Sequence, residues 1–142
     1  MRIEWLILAD AAEVVGNKLY LLGGGWDRLT VHAGFPVVQH AAVAVSVVVP
    51  WENTNQVHEF CLHFASPQGK VLATIEAEFE VGRPPGVPPG RSQRWQFAGM
   101  LDLSLEGPGR HVLLAQVDGE EGARQEFDVV LGKRAADLPT ST

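Results

Sequence analysis

Leu8-Ala9-Asp10-Ala11-Ala12-Glu13-Val14-Val15-Gly16-Asn17-Lys18-Leu19-Tyr20-Leu21-Leu22-Gly23-Gly24-Gly25-Trp26-Asp27 is the stretch from which the fold is read. Two apolar runs, Val14-Val15 and Leu19–Leu22, are joined through Gly16-Asn17. Both joint residues tolerate positive φ, as a two-residue hairpin turn requires, so the segment predicts a tight β-hairpin. Gly23, Gly24 and Gly25 then interrupt the second run before Trp26 and Asp27. This arrangement predicts one long strand, Lys18–Leu22 continued by Trp26–Val31, bent or bulged at the glycines. At least one glycine, with Gly24 the central one, would take φ > 0, and the bulge would aim Trp26 into the core.

Outward from this stretch the chain alternates apolar and polar residues, and helical periodicity is scarce. Ile3–Asp10 reads as a first strand, apolar on both faces: Ile3, Trp5 and Ile7 on one, Leu6 and Leu8 on the other. Ala41–Val49 holds five valines and reads as a central strand covered on both sides. Val57–Ala65 turns Phe60, Leu62 and Phe64 one way and Glu59, Cys61 and His63 the other. Lys70–Val81 alternates cleanly, with Val71, Ala73, Ile75, Ala77, Phe79 and Val81 inward and Leu72 the exception. Four prolines and three glycines in residues 82–91 exclude regular structure there and predict an exposed loop suited to partner contact. Trp95–Leu105, His111–Val117 and Gln125–Leu131 complete the set. About eight short strands at regular spacing predict an all-β fold, an immunoglobulin-like two-sheet antiparallel β-sandwich over residues 1–132. Residues 133–142 read as a C-terminal tail, with at most one helical turn at Arg134–Asp137.

The totals bound the function. The chain has 142 residues, one domain's worth, with 46% hydrophobic and 20% charged residues. A net charge of -6 without a Lys/Arg cluster argues against nucleic acid as partner. Cys61 is the single cysteine, so no intrachain disulfide is available. Glu4 and Asp10 bracket too short an apolar run for a secretion signal, and no stretch approaches a membrane span. The expectation is a cytoplasmic protein.

Pro108-Gly109-Arg110-His111 followed by Phe127-Asp128-Val129-Val130-Leu131 resembles the closing hairpin of immunoglobulin-like sandwiches, with His111 where an aromatic usually sits. The opening block together with Val49-Pro50-Trp51-Glu52-Asn53-Thr54-Asn55-Gln56-Val57-His58 resembles a family of small uncharacterised bacterial proteins. These carry "ADxAEVV…KLYLLGGGWD" and "VPWxxTNxxH" blocks. The resemblance implies a fold and a bacterial origin but no reaction.

Candidate sites follow from chemistry and spacing. Trp51 with Asn53 and Asn55 in a polar loop is the chemistry of sugar stacking and of protein interfaces. Trp26 and Asp27 form a second candidate binding pair. Asp10, Glu13 and Asp27, gathered at the first hairpin, would suit an acidic hydrolase-type site, although turn capping accounts for Asp10 and Asp27 as well. His58 and His63 point to opposite faces of one strand and cannot share an ion. His32 and His40 flank a loop but lack a third ligand, so no metal and no cofactor are expected. Cys61 and His63 share a strand face and invite a nucleophile–base reading. Asp118–Gly122 reads as a solvated acidic turn. The expected function is a non-catalytic binding or assembly module, with a carbohydrate-binding domain or a small hydrolase as alternatives. A protein partner or self-association is expected, because the first strand needs cover on two faces.

Overall fold

A computed structural model describes residues 1–133. In chain order it contains β1 (Arg2–Ala9), β2 (Ala11–Val15), β3 (Lys18–Leu22), β4 (Arg28–Val31), β5 (Val37–Val49), a 3-10 turn at Trp51–Asn53, β6 (Val57–Ala65), β7 (Val71–Glu80), β8 (Gln93–Leu105), β9 (Gly109–Val117) and β10 (Glu120–Leu131). The fold is all-β, as the alternation predicts. The expected helical turn at 134–137 lies outside the described residues.

The strands form a small sheet in the order β1-β5-β8, a large sheet in the order β4-β10-β9-β6-β7, and the separate hairpin β2-β3. Every pairing is antiparallel except β4 on β10, which is parallel. The two larger sheets bury a common core. Leu6 and Leu8, Val43, Val45 and Val47, and Leu101 and Leu103 from the small sheet meet Phe60, Leu62, Phe64, Leu113 and Phe127 from the large one. Each of these large side chains contributes roughly 1.5–3 kcal/mol on burial. Two ring stacks organise the core. Phe79 lies on Trp95 at 4.1 Å between centroids, and His111, Phe64 and Phe127 form a triangle of nearly parallel rings with centroids 5.5–5.8 Å apart.

β5 is buried on both faces, as its composition requires. Its inward valines fill the core, and its outward Ala42, Ala44 and Ser46 are equally buried. Hairpin β2–β3 supplies that second cover by lying against the outer face of the small sheet, where it meets β5 and β8. Gln96 Nε2 of β8 donates to the Asn17 carbonyl at the hairpin tip over 2.7 Å. The outward face of β5 is therefore covered from within the chain, while Trp5 and Ile7 on the outward face of β1 are half-buried. At the other end of that face Ser46 Oγ donates to Glu4, whose carboxylate also takes two bonds from Arg94 at 2.7 and 2.8 Å.

Three local readings are corrected. Lys18–Leu22 and Trp26–Val31 are not one bulged strand: β3 belongs to the hairpin and β4 to the large sheet. The glycines carry the chain between layers, with Gly25 N–H donating to the Leu8 carbonyl at 2.8 Å. Positive φ falls at Gly23 (62°) and Gly25 (86°), not at Gly24. A Cβ on Gly24 would meet Leu21, Ala9 and Ile7 at ordinary distances of 3.5–3.7 Å, whereas one on Gly23 would strike the Asp10 carboxylate. The exception at Leu72 also has a cause. A register shift pairs Phe64 with Ala73 but Ala65 with Val71, so Leu72 packs on the core and Val71 is exposed. Finally, the described residues form ten strands rather than about eight, and the β4–β10 pair departs from a wholly antiparallel arrangement. The surplus is β2 of the expected hairpin and the division of the expected long strand into β3 and β4; the hairpin leaves the path between β1 and β4 as an inserted loop would.

Candidate binding surfaces

The loop after β5 carries Trp51, Asn53 and Asn55. Pro50 starts a 3-10 turn closed by Asn53 N–H to the Pro50 carbonyl (2.9 Å), and Thr54 Oγ1 donates to the Trp51 carbonyl at 2.6 Å. Asn55 is held at φ 59°, a conformation its short polar side chain tolerates, and its N–H donates to the Val81 carbonyl. Arg83 from the proline-rich loop closes the arrangement. Its guanidinium lies 3.8 Å over the Trp51 ring, Nη2 donates to the Trp51 carbonyl and Nε to Thr54 Oγ1. One face of the Trp51 ring is thus occupied by a cation. The backbone groups of Asn53 and Asn55 enter these bonds and tie the loop down.

The proline-rich loop has more order than its composition implies. Val87 N–H donates to the Pro84 carbonyl and Arg91 N–H to the Pro88 carbonyl, both at 3.2 Å. Gly86 (φ 91°) and Gly90 (φ 84°) occupy the third position of two successive turns, where only glycine adopts such angles freely. Pro84-Pro85-Gly86-Val87 and Pro88-Pro89-Gly90-Arg91 are therefore tandem turns.

Beneath the Trp51 loop lies a pair that the residue pattern left as separate pieces. His58 is 4% exposed. Its Nδ1–H donates to Asp118 Oδ2 (2.8 Å) and its Nε2–H to the Asn53 carbonyl (2.7 Å). Both partners only accept, so the geometry calls for the doubly protonated ring. Burial pulls the His58 pKa down, but the Asn53 carbonyl and the Asp118 carboxylate outweigh it and hold the value above normal. Asp118 is pushed up by burial yet ends below its ordinary value, through the Glu59 N–H bond (2.9 Å) and the His58 contact. Asp118 is thus the exposed acceptor for a buried histidine as well as a turn residue. The signal available in sequence was Asp118-Gly119 between two apolar runs, which predicts the turn but not its long-range partner.

Trp26 and Asp27 lie elsewhere. Trp26 packs edge-on against Phe127 (5.7 Å), with Nε1 buried and without a partner among the described residues, while Asp27 is exposed and its carbonyl accepts the Asp128 N–H. Asp128 pairs with Arg110 at the start of β9, and Asp118 follows its end. About eight residues of strand, ~26 Å, therefore separate the two candidate pairs. Asp10 sits at the bend after β1, Glu13 opposite Tyr20 on the hairpin, and Asp27 before β4. Among the described residues no three His, Cys, Asp or Glu side chains are grouped so as to hold a metal ion. His32 binds the Lys133 carbonyl and His40 pairs with Asp102, so those histidines do not meet.

Cys61 and His63 do meet. The Cys61 thiol donates to His63 Nε2 at 3.3 Å, and His63 Nδ1–H donates to Thr74 Oγ1 at 3.0 Å. Burial and the neighbouring Glu76 raise the thiol pKa above that of a free cysteine. The group stays protonated where a nucleophile would need to be thiolate.

The outer side of hairpin β2–β3 is different. Ala11, Glu13 and Val15 of β2 face Leu22, Tyr20 and Lys18 of β3. Val15, Tyr20 and Leu22 are 52%, 56% and 71% exposed. Ala12, Val14 and Leu19 alternate with these residues and are half-buried against the body of the protein, whereas Leu21 stays exposed.

Fold and surface together define an all-β protein of two core-sharing sheets with an added hairpin that presents an apolar outer face. No described helix is long and apolar enough to cross a membrane. The chain belongs to a family of unknown function, DUF6941, whose family model matches residues 4–130. This bears out the resemblance to an uncharacterised family. No curated protein matches the chain. Among solved structures it is similar to the Pseudomonas fluorescens alkylpurine DNA glycosylase AlkC bound to DNA containing an abasic site analog. The identity is 12% and the TM-score 0.39, over 88% of this chain and 30% of that one. The chain thus spans under a third of that protein, and a likeness at this score carries no argument.

Proposed function

We propose that this protein is a non-catalytic assembly module of the bacterial cytoplasm, built on an immunoglobulin-like sandwich, that associates with a second copy of itself through hairpin β2–β3. Strand order supports the fold reading. The first strand is split: β1 serves the small sheet, and β4 rejoins the large sheet parallel to the last strand. His111 also supports it, since its Nδ1–H donates to the Gly109 carbonyl at 3.0 Å, much as a corner tyrosine bonds back to the backbone just upstream.

The outer hairpin face carries the functional reading. Val15, Tyr20 and Leu22 lie side by side in solvent on an element whose inner face is fastened to the protein. Contiguous exposed apolar side chains rimmed by charge mark interaction surfaces. The charges on this face, Glu13 and Lys18, have opposite signs, so a copy related by two-fold symmetry offers each a partner. The test is sedimentation velocity at micromolar concentration, comparing the natural chain with the double variant Tyr20→Lys, Leu22→Lys. A mass near twice 15.4 kDa that falls to 15.4 kDa in the variant supports the reading. A natural chain that sediments as a monomer overturns it.

A further inference from the structure

We propose that the free edge of β7 in the large sheet accepts an extended segment of another protein in which basic and apolar residues alternate. The inference is independent of the hairpin reading and concerns a different sheet.

Among the described residues β7 ends the order β4-β10-β9-β6-β7 and pairs with β6 alone. It is ten residues long, Val71–Glu80. Strand β8 of the other layer comes near it but forms no ladder with it. One edge of β7 therefore offers backbone N–H and C=O groups to any added strand. Its inward row shows that the core is open on this side. Phe79 is buried, but Ala73, Ile75 and Ala77 are only half-buried, in contrast to the buried inward row His58, Phe60, Leu62 and Phe64 of the neighbouring β6. An added strand would cover them with its own apolar side chains.

The outward row specifies what the other side chains must be. Glu76, Glu78 and Glu80 project from one face at a spacing of about 6.8 Å. Glu59 of β6 stands directly opposite Glu78, an arrangement that is unfavourable between like charges. Among the described residues these four glutamates have no cationic partner, because the ion-paired lysine and arginine side chains reach Glu106, Glu4, Glu126, Asp128 and Glu121. A strand laid along β7 with lysine or arginine at every second position would set a cation beside each carboxylate. A second copy of β7 would instead set glutamate against glutamate. The same charges that attract a basic segment thus repel self-pairing at this edge.

The test uses fluorescence anisotropy of a labelled peptide, Lys-Val-Lys-Val-Lys-Val-Lys, titrated with the full chain. Two control peptides replace valine by proline, which keeps the charge but removes every second N–H and holds the chain in polyproline II geometry, or lysine by glutamate. The expected result is saturable binding of the first peptide and at least tenfold weaker binding of both controls. Glu76→Gln with Glu78→Gln should weaken binding roughly threefold to tenfold, in keeping with exposed ion pairs, at an unchanged urea midpoint. The Tyr20→Lys, Leu22→Lys variant should bind like the natural chain whatever its oligomeric state, which separates this inference from the hairpin reading. No binding of the valine peptide, equal binding of the proline peptide, or indifference to the glutamine substitutions would each overturn the proposal.

Discussion

Replacing His58 by Phe removes both ring N–H donors while keeping a ring to pack on Phe79, whose centroid lies 5.4 Å from that of His58. Two hydrogen bonds to a charged ring are lost, each worth about 1.5–3 kcal/mol. Two effects offset that. The Asp118 side chain is 45% exposed, so water replaces part of what His58 gave it, and the apolar ring gains ~1–2 kcal/mol from burial. The net loss at mildly acidic pH is then about 2–3 kcal/mol, a fall of roughly 10 °C in Tm for a chain of this length. The pH dependence carries the sharper content. The folded pKa of His58 lies above its ordinary 6.5, so its stabilisation is complete below 6.5 and is lost as pH rises through the raised value. Asp118 lies below its ordinary 3.8, so its share is complete above 3.8 and is lost as pH falls through the lowered value. The pair contributes in full between those limits. Urea unfolding of both proteins at pH 5.5 and pH 9 reads this directly, and taking the difference cancels every other titrating group. The gap should shrink as pH rises from 5.5 through the raised value, because one ring nitrogen then loses its proton and faces an acceptor. An equal gap at both pH values would refute a protonated, doubly bonded ring.

Gly23→Ala should cost upwards of ~1–2 kcal/mol from φ alone, with the Asp10 contact added, while Gly24→Ala should leave the urea midpoint nearly unchanged; the reverse order would restore the bulge. His111 is held below its ordinary 6.5 by burial, against a smaller pull from the Gly109 carbonyl. It is therefore neutral when folded, and its contribution fades as pH drops below 6.5. His111→Phe should then flatten the acid side of the stability profile between pH 6.5 and 4.5, and an unchanged acid limb would count against a buried neutral ring. Cys61 should react with iodoacetamide at pH 8 several-fold more slowly than free cysteine, given its raised pKa; faster reaction would revive a nucleophilic role. Arg83→Ala should increase acrylamide quenching of Trp51 fluorescence, measured with the other tryptophans replaced by Phe, because it uncovers a ring face.

Strand identity was legible because it rests on period and turn chemistry, which are local. Val57–Ala65 and the burial of β5 on both faces follow from alternation and valine content, and the Gly16-Asn17 joint is a two-residue turn with φ 56° and 61°. The side-by-side placement of Cys61 and His63 follows in the same way from a spacing of two. Layer assignment was not legible. Nothing in Gly23–Gly25 says whether the chain bends within one sheet or crosses to another, since glycine permits both and the choice is made by which sheet has an unpaired edge for β4. The functional surfaces divide likewise. Composition marked the Trp51 loop but not that Arg83, 32 residues on, would cover its ring. The His58–Asp118 pair spans 60 residues and joins groups whose local patterns read only as a strand and a turn. The two apolar faces of β1 were visible as a need for cover. That an inserted hairpin covers β5 and β8 instead, leaving Trp5 and Ile7 half-buried and bringing its own apolar face into solvent, was decided by long-range packing, in which burying one surface determines which other is left exposed.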